Sequence, residues 1–228
     1  MFPTTARGFA ALGTGLVAAA LFGARAISGS ASTTTTLPDP ALDQPVAAAK
    51  GEQTIVLGGG CFWGVQAVFQ HVKGVVSATS GYAGGSVSSP NYMQVSTGST
   101  GHAEVVKVVF DTSQVSLGQI LKVFFSVAHD PTELNRQGPD VGTQYRSTVY
   151  YTSDAQRRIV DGYIDQLTKA KAFRAPIVTE VAPLKAFYEA EAYHQNYYNL
   201  HPNQPYIVIN DRPKVEALKT QFASLWKE

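Results

Sequence analysis

Leu57-Gly58-Gly59-Gly60-Cys61-Phe62-Trp63-Gly64 is the stretch on which the reading of this chain turns. Just before the glycines, Thr54-Ile55-Val56-Leu57 is apolar and largely β-branched, the composition of a buried strand. Three glycines interrupt that run. After Trp63, Val65-Gln66-Ala67-Val68-Phe69 has helical spacing. The segment therefore turns a strand into a helix and sets the chain's single cysteine at the helix start. A helix start carries unpaired N–H groups and partial positive charge. Both favour thiolate over thiol, so Cys61 is expected to have a depressed pKa and to act as a nucleophile. The plain alternative is a buried structural cysteine. The glycines before Cys61 and the two aromatics after it weigh against that.

Working outward, Val75–Tyr82 and Ala103–Phe110 read as strands, the second carrying Glu104 near its start. Tyr92–Val95 begins a short helix, and Leu117–Val127 has helical periodicity. Asp130–Gln144 is a long polar loop holding Pro131, Gly138, Pro139 and Gly142. Ser147–Tyr151 is strand-like, and Ser153 or Asp154 caps a helix running to about Lys171. Ile177–Val181 is read as a strand, Glu189–Leu200 as aromatic-rich and helical, and Pro213–Trp226 as the last helix. Strands and helices mix without strict βαβ alternation. This predicts an α+β fold in a single domain, a central mixed β-sheet covered by helices in a two-layer, ferredoxin-like sandwich.

The 228 residues are 44% hydrophobic and 15% charged, with a net charge of +1. That balance gives no electrostatic footprint for nucleic acid. One cysteine cannot close an internal disulfide or build a cysteine-based zinc site. His194 and His201 have no carboxylate at ligand spacing, so no metal is expected, and the glycines around Cys61 do not fit a dinucleotide or phosphate loop. At the N-terminus, Arg7 precedes an apolar stretch from Phe9 to Ala24, followed by Ser28-Gly29-Ser30-Ala31. This is the pattern of a secretory signal cut after Ala31. Residues 1–31 are thus read as a targeting segment, 32–50 as a flexible Thr-, Pro- and Ala-rich linker, and 51–228 as the catalytic domain. The expected location is the bacterial periplasm, without stable membrane insertion after cleavage. An organelle, or an uncleaved N-terminal anchor, remains an alternative.

The chemistry-bearing residues sit in glycine-flanked, turn-like segments: Gly60-Cys61-Phe62-Trp63-Gly64, Pro90-Asn91-Tyr92, Gly101-His102-Ala103-Glu104 and Gly142-Thr143-Gln144-Tyr145-Arg146-Ser147. In this order, from about Thr54 to Pro202, they resemble the A class of peptide methionine sulfoxide reductases. A sulfoxide is a polar S=O bearing a methyl group. Reducing it calls for a thiolate, an acid near the oxygen, donors on that oxygen and an apolar wall. Cys61 suits the nucleophile and Glu104 the acid, provided burial raises its pKa. The phenols of Tyr92 and Tyr145 suit the oxygen, and Phe62 and Trp63 suit the methyl group. The resemblance implies the same roles. It adds Asp140 as a residue supporting the site, Tyr197 as a further tyrosine near it, and the S epimer at sulfur as substrate, free or in oxidised proteins.

The chain departs from the pattern of many members of that family, which carry further cysteines near the C-terminus. Here the stretch reads His201-Pro202-Asn203-Gln204-Pro205-Tyr206-Ile207-Val208. A sulfenic acid on Cys61 therefore needs a thiol from outside the chain, whether thioredoxin, glutaredoxin or a small thiol. No bound cofactor is expected, and the protein is read as a monomer serving oxidative-damage repair. A sensor that binds oxidised methionine without turnover and a thiol peroxidase are the competing readings. His102 and Asp130 are read as packing and turn residues.

Overall fold

The computed structural model describes residues 36–228, and the expected targeting segment 1–31 lies outside the described residues. In chain order the elements are β1 (Glu52–Gly58), α1 (Phe62–Gln70), β2 (Val75–Ala83), α2 (Tyr92–Val95), β3 (Ala103–Asp111), α3 (Leu117–Val123), β4 (Arg136–Gln137), β5 (Asp140–Val141), β6 (Thr148–Tyr151), α4 (Asp154–Lys169), β7 (Glu180–Pro183), β8 (Phe187–Glu189), α5 (Tyr197–Leu200) and α6 (Arg212–Gln221). Six strands form one sheet in the order β7-β6-β1-β3-β2-β8. The inner four, β6-β1-β3-β2, are all antiparallel, as a ferredoxin-like sandwich requires. Strand β7 runs parallel to β6, and β8 lies antiparallel to β2. The α+β expectation therefore holds, with a mixed sheet.

Period-two alternation sorts the strand residues between two faces. Ile55 and Leu57 of β1, and Val106, Val108 and Phe110 of β3, enter the large core with residues of α1, α3, α4 and α6. Val56, Val105, Ala103 and Tyr150 face the other way, under Ala182, Leu184 and Phe187. Burying each large aliphatic side chain contributes about 1.5–3 kcal/mol. By the same alternation Glu104 shares the face of Val106 and Val108, toward the start of α1.

Local capping agrees with the sequence. Ser153 rather than Asp154 caps α4, accepting from Gln156 N–H, and Asn91 and Ser116 form capping boxes with Gln94 and Gln119. Helix α3 continues into a π-helical turn, Phe124–Ala128.

Three expectations are corrected. Strand β7 starts at Glu180, because Ile177 packs on the core and Val178 N–H donates to Pro131 O instead of a ladder partner. The stretch Glu189–Leu200 is not one helix. It ends β8, makes a 3-10 turn at Ala192–His194 and breaks at Asn196, whose φ is +56°, before the four-residue α5. There the Gln195 side chain takes the place of a strand neighbour, accepting from Ser80 N–H and donating to Ser80 O. The expected flexible linker, within its described part from residue 36, has no regular element but is fastened to the helices. Pro38 O accepts from Tyr163 Oη at 2.9 Å, Asp39 pairs with Lys122 at 2.8 Å, and Asp43 accepts from Ser116 Oγ and from Gly118 N–H. Gly118 makes this possible: a Cβ there would lie 2.3 Å from Asp43 Oδ2.

Candidate active site

Strand β1 ends at Gly58, and the turn to α1 depends on Gly60, whose φ is +86° and whose missing Cβ would lie 2.5 Å from Gln137 Cβ. Cys61 then occupies the N-cap position of α1 with no side-chain cap bond, 9% exposed. Gly64, one turn on, leaves room for a carboxylate: its Cβ would meet Asp211 Oδ1 at 2.2 Å.

The N–H of Phe62 donates to Glu104 Oε2 at 3.1 Å, so β3 delivers its acid to the first turn of α1. Glu104 is 2% exposed. Burial raises its pKa to about 8, the Phe62 N–H opposes the shift and the charge of Asp140 adds to it. The carboxyl is protonated at neutral pH, as an acid role requires.

The thiol behaves otherwise than expected. Burial pushes Cys61 well above the usual thiol range, and the charges of Glu104 and Asp211 push it further. The Trp63 N–H and the Lys214 ammonium pull the other way and lose. The helix start is present, but its field is outweighed by desolvation and two nearby acids. Cys61 rests as a neutral thiol.

Cys61, Phe62, Trp63, Tyr92, Glu104, Asp140 and Tyr145 line one cavity of about 280 Å³, together with Gln204 and Tyr206. Seven of the eight residues singled out in the sequence thus meet in one place. Tyr92 is brought by the capped first turn of α2, and its N–H donates to Glu191 Oε1, whose other oxygen accepts from Tyr82 Oη. Tyr145 comes from the 3-10 turn Thr143–Tyr145 that follows Gly142. Burial holds both phenols in their protonated, donating form. Asp140 sits on the small β4–β5 hairpin inside the polar loop and accepts from Tyr206 Oη.

Tyr197, the eighth residue, does not line this cavity. It stacks on Trp63 with centroids 3.8 Å apart and planes 8° from parallel. His194 backs the aromatic wall: its Nδ1 is 3.2 Å from Trp63 Nε1, and its ring lies 4.4 Å from that of Tyr92. Sequence reasoning missed Gln204, Tyr206 and His194 as parts of this site. The first two lie in the segment that was read only for its missing cysteine. His102 and Asp130 keep the structural roles expected of them. His102 is held by Gly85 N–H and Val87 O, and Asp130 caps its own turn by accepting from Thr132 N–H.

A buried thiol sharing one cavity with a protonated carboxyl and the phenols of Tyr92 and Tyr145 defines a cysteine-dependent oxidoreductase of the α+β class. Comparison with known proteins supplies the family. Residues 53–225 match the family model described as "Peptide methionine sulfoxide reductase". The chain is 57% identical over 181 residues to peptide methionine sulfoxide reductase MsrA 2 of Mesorhizobium japonicum, covering 79% of this chain and 93% of that one. It is 46% identical over 193 residues to the MsrA 2 of Synechocystis, covering 84% and 90%. Among solved structures it resembles methionine sulfoxide reductase A of Corynebacterium diphtheriae, with TM-score 0.58, 38% identity, and 74% and 85% of the two chains covered. Reduced Mxr1 from Saccharomyces cerevisiae matches with TM-score 0.60, 34% identity, and 72% and 92% covered. The chain belongs to the peptide methionine sulfoxide reductase family.

Proposed function

We propose that Cys61 is the nucleophile, and Glu104 the acid, of a reductase that converts the S epimer of methionine sulfoxide to methionine. In this reading the sulfoxide methyl group lies against Phe62 and Trp63, and the oxygen faces Glu104, Tyr92 and Tyr145. Glu104 gives its proton to the oxygen as the Cys61 sulfur bonds to the substrate sulfur. The S–O bond breaks, the expelled hydroxide attacks the Cys61 sulfur, the S–S bond breaks to release methionine and leave a sulfenic acid on Cys61, and the thiol proton restores Glu104. The sum is sulfoxide plus thiol giving thioether plus sulfenic acid, with no net proton change. Asp140 orients Tyr206 at the cavity edge, and Tyr197 holds Trp63 in place. The observation that carries the reading is the neutral, buried Glu104 carboxyl lining the same cavity as the thiol.

The chain has one cysteine, so a thiol from outside must resolve the sulfenic acid. We further propose that the protein is exported, on the strength of Arg7, the apolar stretch Phe9–Ala24 and Ser28–Ala31. The test is stoichiometric. Mixed with a methionine sulfoxide peptide and no reductant, the protein should release one methionine per Cys61. It should turn over repeatedly once dithiothreitol is added, and Cys61→Ser should release none. Methionine formation by Cys61→Ser, or none by the wild type, would refute the reading.

A further inference from the structure

Tyr92 reaches the substrate cavity from α2, an element too short to place it alone. Helix α2 has four residues, Tyr92–Val95, and Val95 is its one buried residue. That is far below the length at which a helix holds itself in water. Where Tyr92 stands is therefore decided by bonds from α2 and its caps to distant parts of the chain. Among the described residues there are two. At the far end, Gln144 Nε2 donates to Ser96 O at 3.1 Å. At the near end, the Tyr92 N–H donates to Glu191 Oε1 at 2.8 Å.

We propose that Glu191 is the positioning residue for this phenol, its carboxylate fixing where Tyr92 meets the sulfoxide oxygen. The inference rests on the reductase reading, in which Tyr92 and Tyr145 face that oxygen, and adds the residue that sets one of them in place.

Three observations carry it. The first is the accounting of donors at the start of α2. The leading N–H groups of a helix have no partner within it. The Asn91 side chain serves the N–H of Gln94, so the N–H of Tyr92 depends on Glu191.

The second is that the carboxylate is itself held. Its other oxygen accepts from Tyr82 Oη at 2.8 Å, and Tyr82 is a fully buried residue of β2. Just before Glu191, β8 pairs Glu189 with Gly81 of β2, and the Ala190 N–H donates to Ser80 O at 3.0 Å. Both oxygens are thus engaged, and the sheet edge carries them.

The third is that the same turn also braces the Tyr92 ring. Glu191 opens the 3-10 turn Ala192–His194, the His194 N–H donates to Glu191 O at 2.9 Å, and the His194 ring lies 4.4 Å from that of Tyr92. Glu191 does not line the cavity; it acts through Tyr92. Tyr145 is supported separately, by a turn whose Thr143 O accepts from Arg146 Nη1 at 2.9 Å.

The separate supports make a decisive test. Single-turnover release of methionine from saturating N-acetylmethionine sulfoxide is measured without reductant, with Glu191→Ala placed in two backgrounds. In the Tyr145→Phe protein, Tyr92 is the one of the two phenols that remains, and Glu191→Ala should slow release about tenfold or more. In the Tyr92→Phe protein the hydroxyl that Glu191 positions is gone, and Glu191→Ala should change the rate by less than about twofold. Glu191→Gln should recover most of the rate in the Tyr145→Phe background. Its amide oxygen accepts from the Tyr92 N–H, and its amide nitrogen donates to the Tyr82 oxygen. If the Ala variants do not fold, Glu191→Asp, with its carboxylate one methylene shorter, carries the same comparison. Equal slowing in both backgrounds would mean a general loosening and overturn the proposal. So would an undiminished rate for Glu191→Ala in the Tyr145→Phe protein, or a Gln variant no faster than the Ala one. No methionine from the wild type would overturn the reductase reading and this inference together. Normal wild-type release with any of those three results overturns this inference alone.

Discussion

The Phe62 N–H donates to the Glu104 carboxyl at 3.1 Å, so the residue that follows the nucleophile holds the proton donor. This one bond links the start of α1 to β3 and sets the two reacting groups by the same local geometry. The bond favours the charged carboxylate, yet burial wins and Glu104 titrates at about 8.

The rate should therefore depend on a protonated Glu104. Activity holds below the Glu104 pKa and falls as pH rises through about 8. Glu104→Gln keeps the hydrogen bond from Phe62 but has no proton to give. We expect kcat/KM to fall by about 10²–10⁴ and the alkaline limb of the pH profile to disappear. An alkaline limb that persists in the variant would assign it to another group.

The same group should govern stability, and in the same direction with pH. The carboxyl binds its proton more tightly folded, near 8, than unfolded, near 4.5. Its contribution is fully present below about 4.5 and is lost as pH rises through about 8. Glu104→Gln should remove this loss, leaving a nearly inactive protein that is a few kcal/mol more stable than wild type at pH 8. Urea unfolding of both proteins at pH 5 and pH 8 measures it, and equal slopes with pH would contradict it.

Tyr197 acts on the site through its stack on Trp63 at 3.8 Å. Tyr197→Ala should free the indole, raise KM severalfold and change kcat little. The lost aromatic pair should also cost about 0.5–1.5 kcal/mol in stability. A fall in kcat with KM unchanged would instead mean that Tyr197 reaches the reacting atoms.

The strands and the turn at Cys61 were legible because each rests on local signals: β-branched runs, a glycine break and helical spacing after it. The site residues were legible for a related reason, since glycine-flanked turns are where the chain can present side chains to a cavity. The thiol's protonation was not. A helix start is visible locally, whereas the burial of Cys61 and the approach of Glu104 and Asp211 depend on distant parts of the chain. Tyr206 and Gln204 escaped for a similar reason, because nothing near them in sequence marks a segment that folds back beside Asp140. The stretch 189–200 misled because its aromatics look like one helical face. They are divided instead among the cavity wall, a Trp63 stack and surface positions.

The segment at residues 36–47 bears on where this protein tolerates proteolytic clipping. Its Leu37 packs on the core, and its Asp43 completes the cap of α3. A chain starting at residue 48 would lose both, and we expect thermal melting to show it destabilised by about 2 kcal/mol or more relative to one starting at 36. Equal melting of the two would refute this. A peptidase that pares the polar run back past Asp43 would cost the enzyme its endurance long before it touched the catalytic sulfur.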